Sequence, residues 1–338
     1  VVFVSFKDII GQERAIKIIT KSLKENKISS SYIFNGNEGT GKKLTAIEFA
    51  KALNCLKFND RFEACGICEP CKEIGKQISP DLTIIELVKS SIKIEQIRAL
   101  RNEIVLKPFK NKKKVYIIDR AENMTIEASN CLLKTLEEPP HYAIIFLICS
   151  KIDSILPTIV SRCQVVNFGV ISSLKIKDIL LKKNVDLNLE KAEIISKLAQ
   201  GSIGNAFRLL SDKEYFVRRE EILDYLSNLC PGEYSDDIFA EVEKMVSEIE
   251  RIEEIVEIIK LWFRDILIIQ KTGDKNYISN CDKLEILENK SKIYSQEILI
   301  DIIDYLEKME EYLIKNVNKR LILERLTIKM VGVEYCLK

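Results

Sequence analysis

The sequence runs to 338 residues, 46% hydrophobic and 30% charged, with only 12 Gly and 7 Pro. That size suits two to three domains with packed cores, and the shortage of turn formers favours long helices over an all-β fold. The net charge of +1 hides an asymmetry: residues 1–210 carry 33 Lys and Arg against 23 Asp and Glu, and residues 211–338 carry 19 against 28. A basic front and an acidic back suit nucleotide or nucleic acid at one end and protein partners at the other.

A lone histidine, His141, rules out any two-His metal motif and leaves a Ser-His-Asp triad one conceivable base; behind Pro139-Pro140 it reads as a loop residue. The longest apolar run, Tyr142 to Cys149, is too short to span a bilayer, and nothing near Val1 has the stages of a secretory signal. A soluble, cytoplasmic protein with no membrane partner is expected, so its ten cysteines read as thiols or metal ligands rather than a disulfide framework.

Along the front half, strand-length apolar runs stand at Tyr32–Phe34, Leu82–Ile85, Val115–Ile118, Ala143–Ile148 and Gln164–Phe168. Helical patterns lie between them, at Leu44–Leu53, Ile94–Leu106 and Ile126–Leu136. Strands fed by crossover helices predict an α/β domain with a parallel sheet covered on both faces.

The first strand runs into Gly36-Asn37-Glu38-Gly39-Thr40-Gly41-Lys42, which opens a helix. That is the context of a phosphate-binding loop, or P-loop: inward backbone N–H groups, a helix N-terminus and a Lys for the β- and γ-phosphates. The motif then asks for Ser or Thr to hold Mg²⁺, and Lys43 stands there instead. Thr45 cannot substitute, because it points about 200° further around the helix. The strand Val115–Ile118 ends in Asp119, the acid that would hold Mg²⁺ through water, but Arg120 follows where a hydrolase places Glu. The loop reads as a nucleotide-hydrolase plan disabled for hydrolysis.

Cys55, Cys65, Cys68 and Cys71 form C-x9-C-x2-C-x2-C, a set that closes a tetrahedral, structural Zn²⁺ site with no open position. An iron–sulfur site is the alternative, but its pattern wants a further Cys where Gly75 stands. Lys107, Lys110, Lys112, Lys113 and Lys114 crowd one turn, which reads as solvated although such a cluster suits DNA phosphates. Beyond Phe168 the pattern turns helical: Leu174–Lys183, Lys191–Ala199, a break at Gly201-Ser202-Ile203-Gly204, then long helices such as Glu241–Ile269 and Gln296–Ile314.

With these residues together, the chain resembles the AAA+ clamp-loader family of bacterial replication. Leu132-Leu133-Lys134-Thr135-Leu136-Glu137-Glu138-Pro139-Pro140 and Leu156-Pro157-Thr158-Ile159-Val160-Ser161-Arg162-Cys163-Gln164 are close to signatures of its ATPase-like subunits, and Phe6-Lys7-Asp8-Ile9-Ile10-Gly11-Gln12 matches its opening segment. The resemblance is dense over residues 3–212 and weak beyond. It implies an AAA+ domain over 1–168 with a zinc module at 55–71, a small helical lid over 169–212, and an all-α collar over 213–338. The lid's nucleotide-sensing Arg would fall at Gly204 and so is missing. With Lys43 and Arg120, that departure implies the non-hydrolysing delta-prime type of DNA polymerase III loader subunit rather than the gamma/tau motor, which is the alternative. A free-standing zinc protein that binds DNA is a third reading, against which the collar-like tail argues. The resemblance further implies that Arg162 serves as an arginine finger in a neighbour's ATP site, so that ATP and Mg²⁺ belong to that neighbour. The implied partners are gamma/tau and delta subunits in a pentameric ring, the sliding clamp and primer-template DNA.

Overall fold

A computed structural model describes residues 5–58, 63–184, 186–229, 252–314 and 318–331. All five expected strands form: β1 (Ser31–Asn35), β2 (Leu82–Ile85), β3 (Lys114–Ile118), β4 (Ala143–Cys149) and β5 (Gln164–Asn167). They make one parallel sheet in the order β2-β3-β4-β1-β5. Parallel neighbours need crossover connections, and helices supply them: α2 (Lys42–Asn54), α3 (Glu69–Gly75), α4 (Ile94–Ile104), α5 (Ile126–Glu137) and α6 (Pro157–Val160), with α1 (Glu13–Lys24) ahead of the sheet.

Every residue of β3 and β4 is buried, which is why those runs are apolar without alternation. The pleat sends Tyr32, Phe34 and Phe146 to one face, where they pack with Phe49 of α2 and with Phe168. It sends Ile33, Tyr116, Ile118, Ile145 and Leu147 to the other, against Ile97 and Leu100 of α4 and Leu132 and Leu136 of α5. Even the charges on α2 are enclosed: Glu48 and Lys51 pair at 2.6 Å, as buried charges must. Helix α3 goes beyond the expected set and carries the last cysteine of the metal-binding pattern.

The helical part holds α7 (Ser173–Lys183), α8 (Leu189–Leu198), α9 (Ile203–Ser211), α10 (Tyr215–Asn228), α11 (Ile252–Thr272), α12 (Leu284–Ile293), α13 (Gln296–Ile314) and α14 (Lys319–Val331). The expected helix over Glu241–Ile269 is seen from Ile252; its earlier part lies outside the described residues. The chain divides into two compact units, residues 1–176 with 201–205, and residues 177–200 with 206–338. In the second, α11 packs on α10, α12 and α13 around the buried Trp262. Asp265, fully buried, accepts from the backbone N–H groups of Ser279 and Asn280 at 3.0 and 2.8 Å and so fixes the approach to α12.

Candidate functional site

Because β1, β3 and β4 run parallel and in register, Asn35 pairing Cys149 and Ile118 pairing Leu147, the loops after them leave from one edge of the sheet. Ligands of open parallel sheets bind at this carboxyl edge. It gathers the loop Gly36–Lys42, the acid Asp119 with Arg120 and Glu122, and Ser150.

The loop makes the tight turns that its glycines predict. Gly39 and Gly41 have φ of +72° and +94°, which an L side chain rarely adopts, and Gly41 caps α2. Thr40 Oγ1 donates to the Asn37 carbonyl at 2.7 Å. Lys42 is almost buried and folded back on the loop, its ammonium donating to the carbonyls of Gly36 and of Asn37, the latter at 2.7 Å. Burial lowers its pKa, against the opposing pull of Glu122 and other nearby anionic groups.

A Mg²⁺–nucleotide does not fit the residues beside the loop. The Lys43 ammonium lies 3.1 Å from Asp119 Oδ2 and 2.5 Å from Glu86 Oε1, so a fixed cation already faces the acid that would hold the metal. Burial pulls the Lys43 pKa down, but the bonds to Glu86 and Asp119 outweigh it and hold it above the ordinary lysine value. Thr45 is buried, its hydroxyl bonded to the Gly41 carbonyl at 2.8 Å, as its place around the helix requires. Arg120, with φ of +55°, turns out to pair with Glu38. Glu122 accepts from the Ser150 hydroxyl and from its N–H at 3.0 Å, while its second oxygen is buried without a hydrogen-bond partner. The position where a hydrolase places its water-orienting Glu is thus held by a cation, Arg120, paired with Glu38.

Gly204, where the family's sensing Arg would fall, touches the loop directly. Its N–H donates to the Gly39 carbonyl at 2.9 Å, and a Cβ there would lie 2.9 Å from Gly39 Cα. Arg208, one turn along α9, pairs with Glu257 at 3.7 Å within the second unit.

The four cysteines do converge. Their Sγ atoms all lie within 4.8 Å of one another, compared with about 3.8 Å between sulfurs in a tetrahedron with 2.3 Å Zn–S bonds. Backbone N–H groups of Cys65 and Cys68 donate to the sulfurs of Cys55 and Cys65 at 3.3 and 3.4 Å, a contact that favours thiolates. Burial raises Cys65, yet N–H donors from Cys68 and Ile67 and the neighbouring thiols outweigh it and bring its pKa down to about 6. Burial holds the Cys55 and Cys71 thiols up. The donor set fits Zn²⁺, which would be held by all four and serve as a staple between α2 and α3.

Arg162 lies just past α6, more than a third exposed, and its guanidinium is engaged at home. Nη2 donates to Glu137 Oε1 at 2.8 Å and Nη1 to the Thr158 carbonyl at 2.9 Å. In the lysine-rich turn, Lys110 pairs with Glu69 and Glu73, Lys113 donates to the His141 carbonyl at 2.6 Å, and Lys114 is buried against Glu103. Three of the five lysines are thus spent within the fold, as a structural turn requires. His141 is exposed, with its ring edge-on to Tyr142.

Glu38, Glu86, Glu122 and Glu137 were not legible as site residues from the sequence. Glu86 meets Lys43 only because β2 sits beside β3, and strand order has no local signature. No helix among the described residues is long and apolar enough to cross a membrane.

Comparison with known proteins agrees with the fold. The family described as DNA polymerase III, delta subunit, matches residues 11–172, and its C-terminal counterpart matches residues 215–330. Subunit delta' of Bacillus subtilis is 28% identical over 94% of this chain and 96% of its own length. Subunit gamma/tau of Mycoplasma genitalium is 35% identical over 65% of this chain. The chain spans only about a third of that protein and of its Mycoplasma pneumoniae counterpart, 37% and 32%. A gamma subunit-related protein from Thermotoga maritima shares the fold, with a TM-score of 0.50 and 19% identity over 94% of this chain and 98% of that one. The fold and these matches together place the chain in the clamp-loader subunit family of DNA polymerase III.

Proposed function

We propose that this chain is the delta-prime-type subunit of its loader: it does not hydrolyse ATP, and it lends Arg162 to a neighbouring motor subunit during loading of the sliding clamp onto primed DNA. The observation that carries the reading is the Lys43–Asp119 pair, an ammonium resident on the metal-holding acid. Arg120 in place of a water-orienting Glu and Gly204 in place of a sensing Arg support it independently. The Bacillus subtilis delta' match over nearly the whole of both chains points the same way.

In this reading residues 169–212 act as lid and 213–338 as collar, joining the chain to gamma/tau and delta subunits in a pentameric ring. Cys55, Cys65, Cys68 and Cys71 hold one structural Zn²⁺. At the neighbour's ATP, the planar fork of Arg162 stabilises charge developing on the γ-phosphate, where a fixed cation acts without solvent reorganisation. The higher identity of gamma/tau and gamma relatives, 35% and 36% over 65% and 68% of this chain, favours a second reading, the motor itself.

ATPase assays separate the two. The purified chain should show no steady Mg²⁺-dependent hydrolysis, and Arg162→Ala should slow the reconstituted loader with assembly intact. A trans arginine is worth about 10³–10⁵ at one site; the whole complex should lose less, since its other sites draw on other subunits. Hydrolysis by the pure chain that Lys42→Ala abolishes would make it the motor.

A further inference from the structure

Glu137 is an odd residue for its position. It closes α5, where Pro139-Pro140 stop the helix, and a carboxylate at a helix C-terminus faces the negative end of the macrodipole. Its Oε1 lies 2.8 Å from Arg162 Nη2. The other side of the same guanidinium is held by its own helix, Nη1 reaching the Thr158 carbonyl at 2.9 Å and Ser161 Oγ at 3.3 Å. Both terminal nitrogens are therefore directed at acceptors of this chain, and one of those acceptors is an anion.

We propose that Glu137 parks Arg162: one carboxylate oxygen holds Nη2 of the guanidinium where a phosphate oxygen would bind, and is exchanged for a neighbour's phosphate when the finger is used. The proposal rests on the reading of Arg162 as a finger in trans. A carboxylate and a phosphate both present anionic oxygens to a guanidinium, so the two compete for Nη2, and a phosphate that takes the whole fork must also displace the Thr158 carbonyl from Nη1. Glu137 is then a positioning residue, acting on the neighbour's reaction only through Arg162. A finger that spends part of its time on Glu137 is available to the neighbour for the remainder, so the rate scales with the released fraction. Because Glu137 and Arg162 are 51% and 36% exposed, the pair holds the finger weakly, and the brake is a few-fold device rather than an on–off switch.

The test uses the full chain reconstituted with its motor and delta partners, without clamp or DNA, so that release of the finger limits turnover. Glu137→Gln keeps the shape and removes the charge; it should speed the one site that Arg162 serves about two- to five-fold, the range an exposed ion pair supplies, and so raise kcat of the whole loader by a smaller factor, with KM unchanged. Glu137→Asp retains the charge and should fall between Glu137→Gln and wild type. In an Arg162→Ala background, Glu137→Gln should have no further effect. Assembly is checked by size exclusion and folding by circular dichroism in every variant. An unchanged or lower kcat for Glu137→Gln, or the same rise without Arg162, overturns the parking role and leaves the finger standing. If Arg162→Ala alone has no effect on the assembled loader, the finger reading itself fails.

Discussion

Replacing Gly204 by Ala pits two effects against each other. Gly204 is the second residue of α9, where Ala is ordinarily better than Gly by at most about 1 kcal/mol. Here the added Cβ would lie 2.9 Å from Gly39 Cα and 3.1 Å from Gly39 O, both backbone atoms that cannot swing aside. Overpacking of this kind costs about 1–3 kcal/mol, and separating the segments also weakens the 2.9 Å bond from Gly204 N–H to Gly39 O, a further ~0.5–1.5 kcal/mol. The clash wins, and the net expectation is a loss of about 1–3 kcal/mol. Urea unfolding followed by far-UV circular dichroism reads it, while Trp262, the single tryptophan and buried in the second unit, reports that unit separately. Gly169→Ala is the control: no atom lies within 4 Å of its Cβ, so the change should stay within about 0.5 kcal/mol. Gly204→Arg should cost more than Gly204→Ala and should not create a nucleotide sensor. A Gly204→Ala protein more stable than wild type would refute the glycine-on-glycine contact.

Lys43→Thr should leave the chain inactive as an ATPase, because Arg120 still occupies the position of the water-orienting acid; recovered turnover would remove that argument. In the same variant the Glu86 carboxyl, held below its ordinary 4.5 by the hydrogen bond and charge of Lys43, should titrate at higher pH by NMR. The sign follows from linkage: a lowered carboxylate adds stability above its unfolded pKa, lost as pH falls through the folded value, so the small acid-side gap between wild type and variant should close as pH falls below the ordinary carboxylate range. Elemental analysis should find one Zn²⁺ per chain, and Cys68→Ser should lower it and destabilise the first unit; iron with visible absorbance would contradict the assignment. Asp81 accepts the N–H groups of Phe109, Lys110 and Asn111 at 2.7, 2.9 and 2.8 Å, so Asp81→Ala should loosen the lysine turn, costing about 1.5–3 kcal/mol and raising amide exchange there.

Much of this protein is written locally. Runs such as Ala143–Cys149 can only be strands buried on both faces, and the loop from Gly36 to Lys42 carries its own backbone instructions in its glycines. The spacing of Cys65, Cys68 and Cys71 within one short segment likewise brings three sulfurs together with little help from the rest of the chain. Lys43 could be read as hostile to a metal because its place on α2 follows from helical periodicity alone. What periodicity cannot supply is the partner of each charge. Glu86 reaches Lys43 because β2 lies beside β3, Glu38 reaches Arg120 across 82 residues, and Glu137 meets Arg162 because α6 packs on α5. Those pairings depend on strand order and helix packing, which arise from the burial of two apolar faces at once, and no stretch of sequence contains that sum. The sequence by itself determined which residues stand at the metal-holding and water-orienting positions, Lys43 and Arg120; the tertiary structure decided that these two cations pair with Asp119, Glu86 and Glu38.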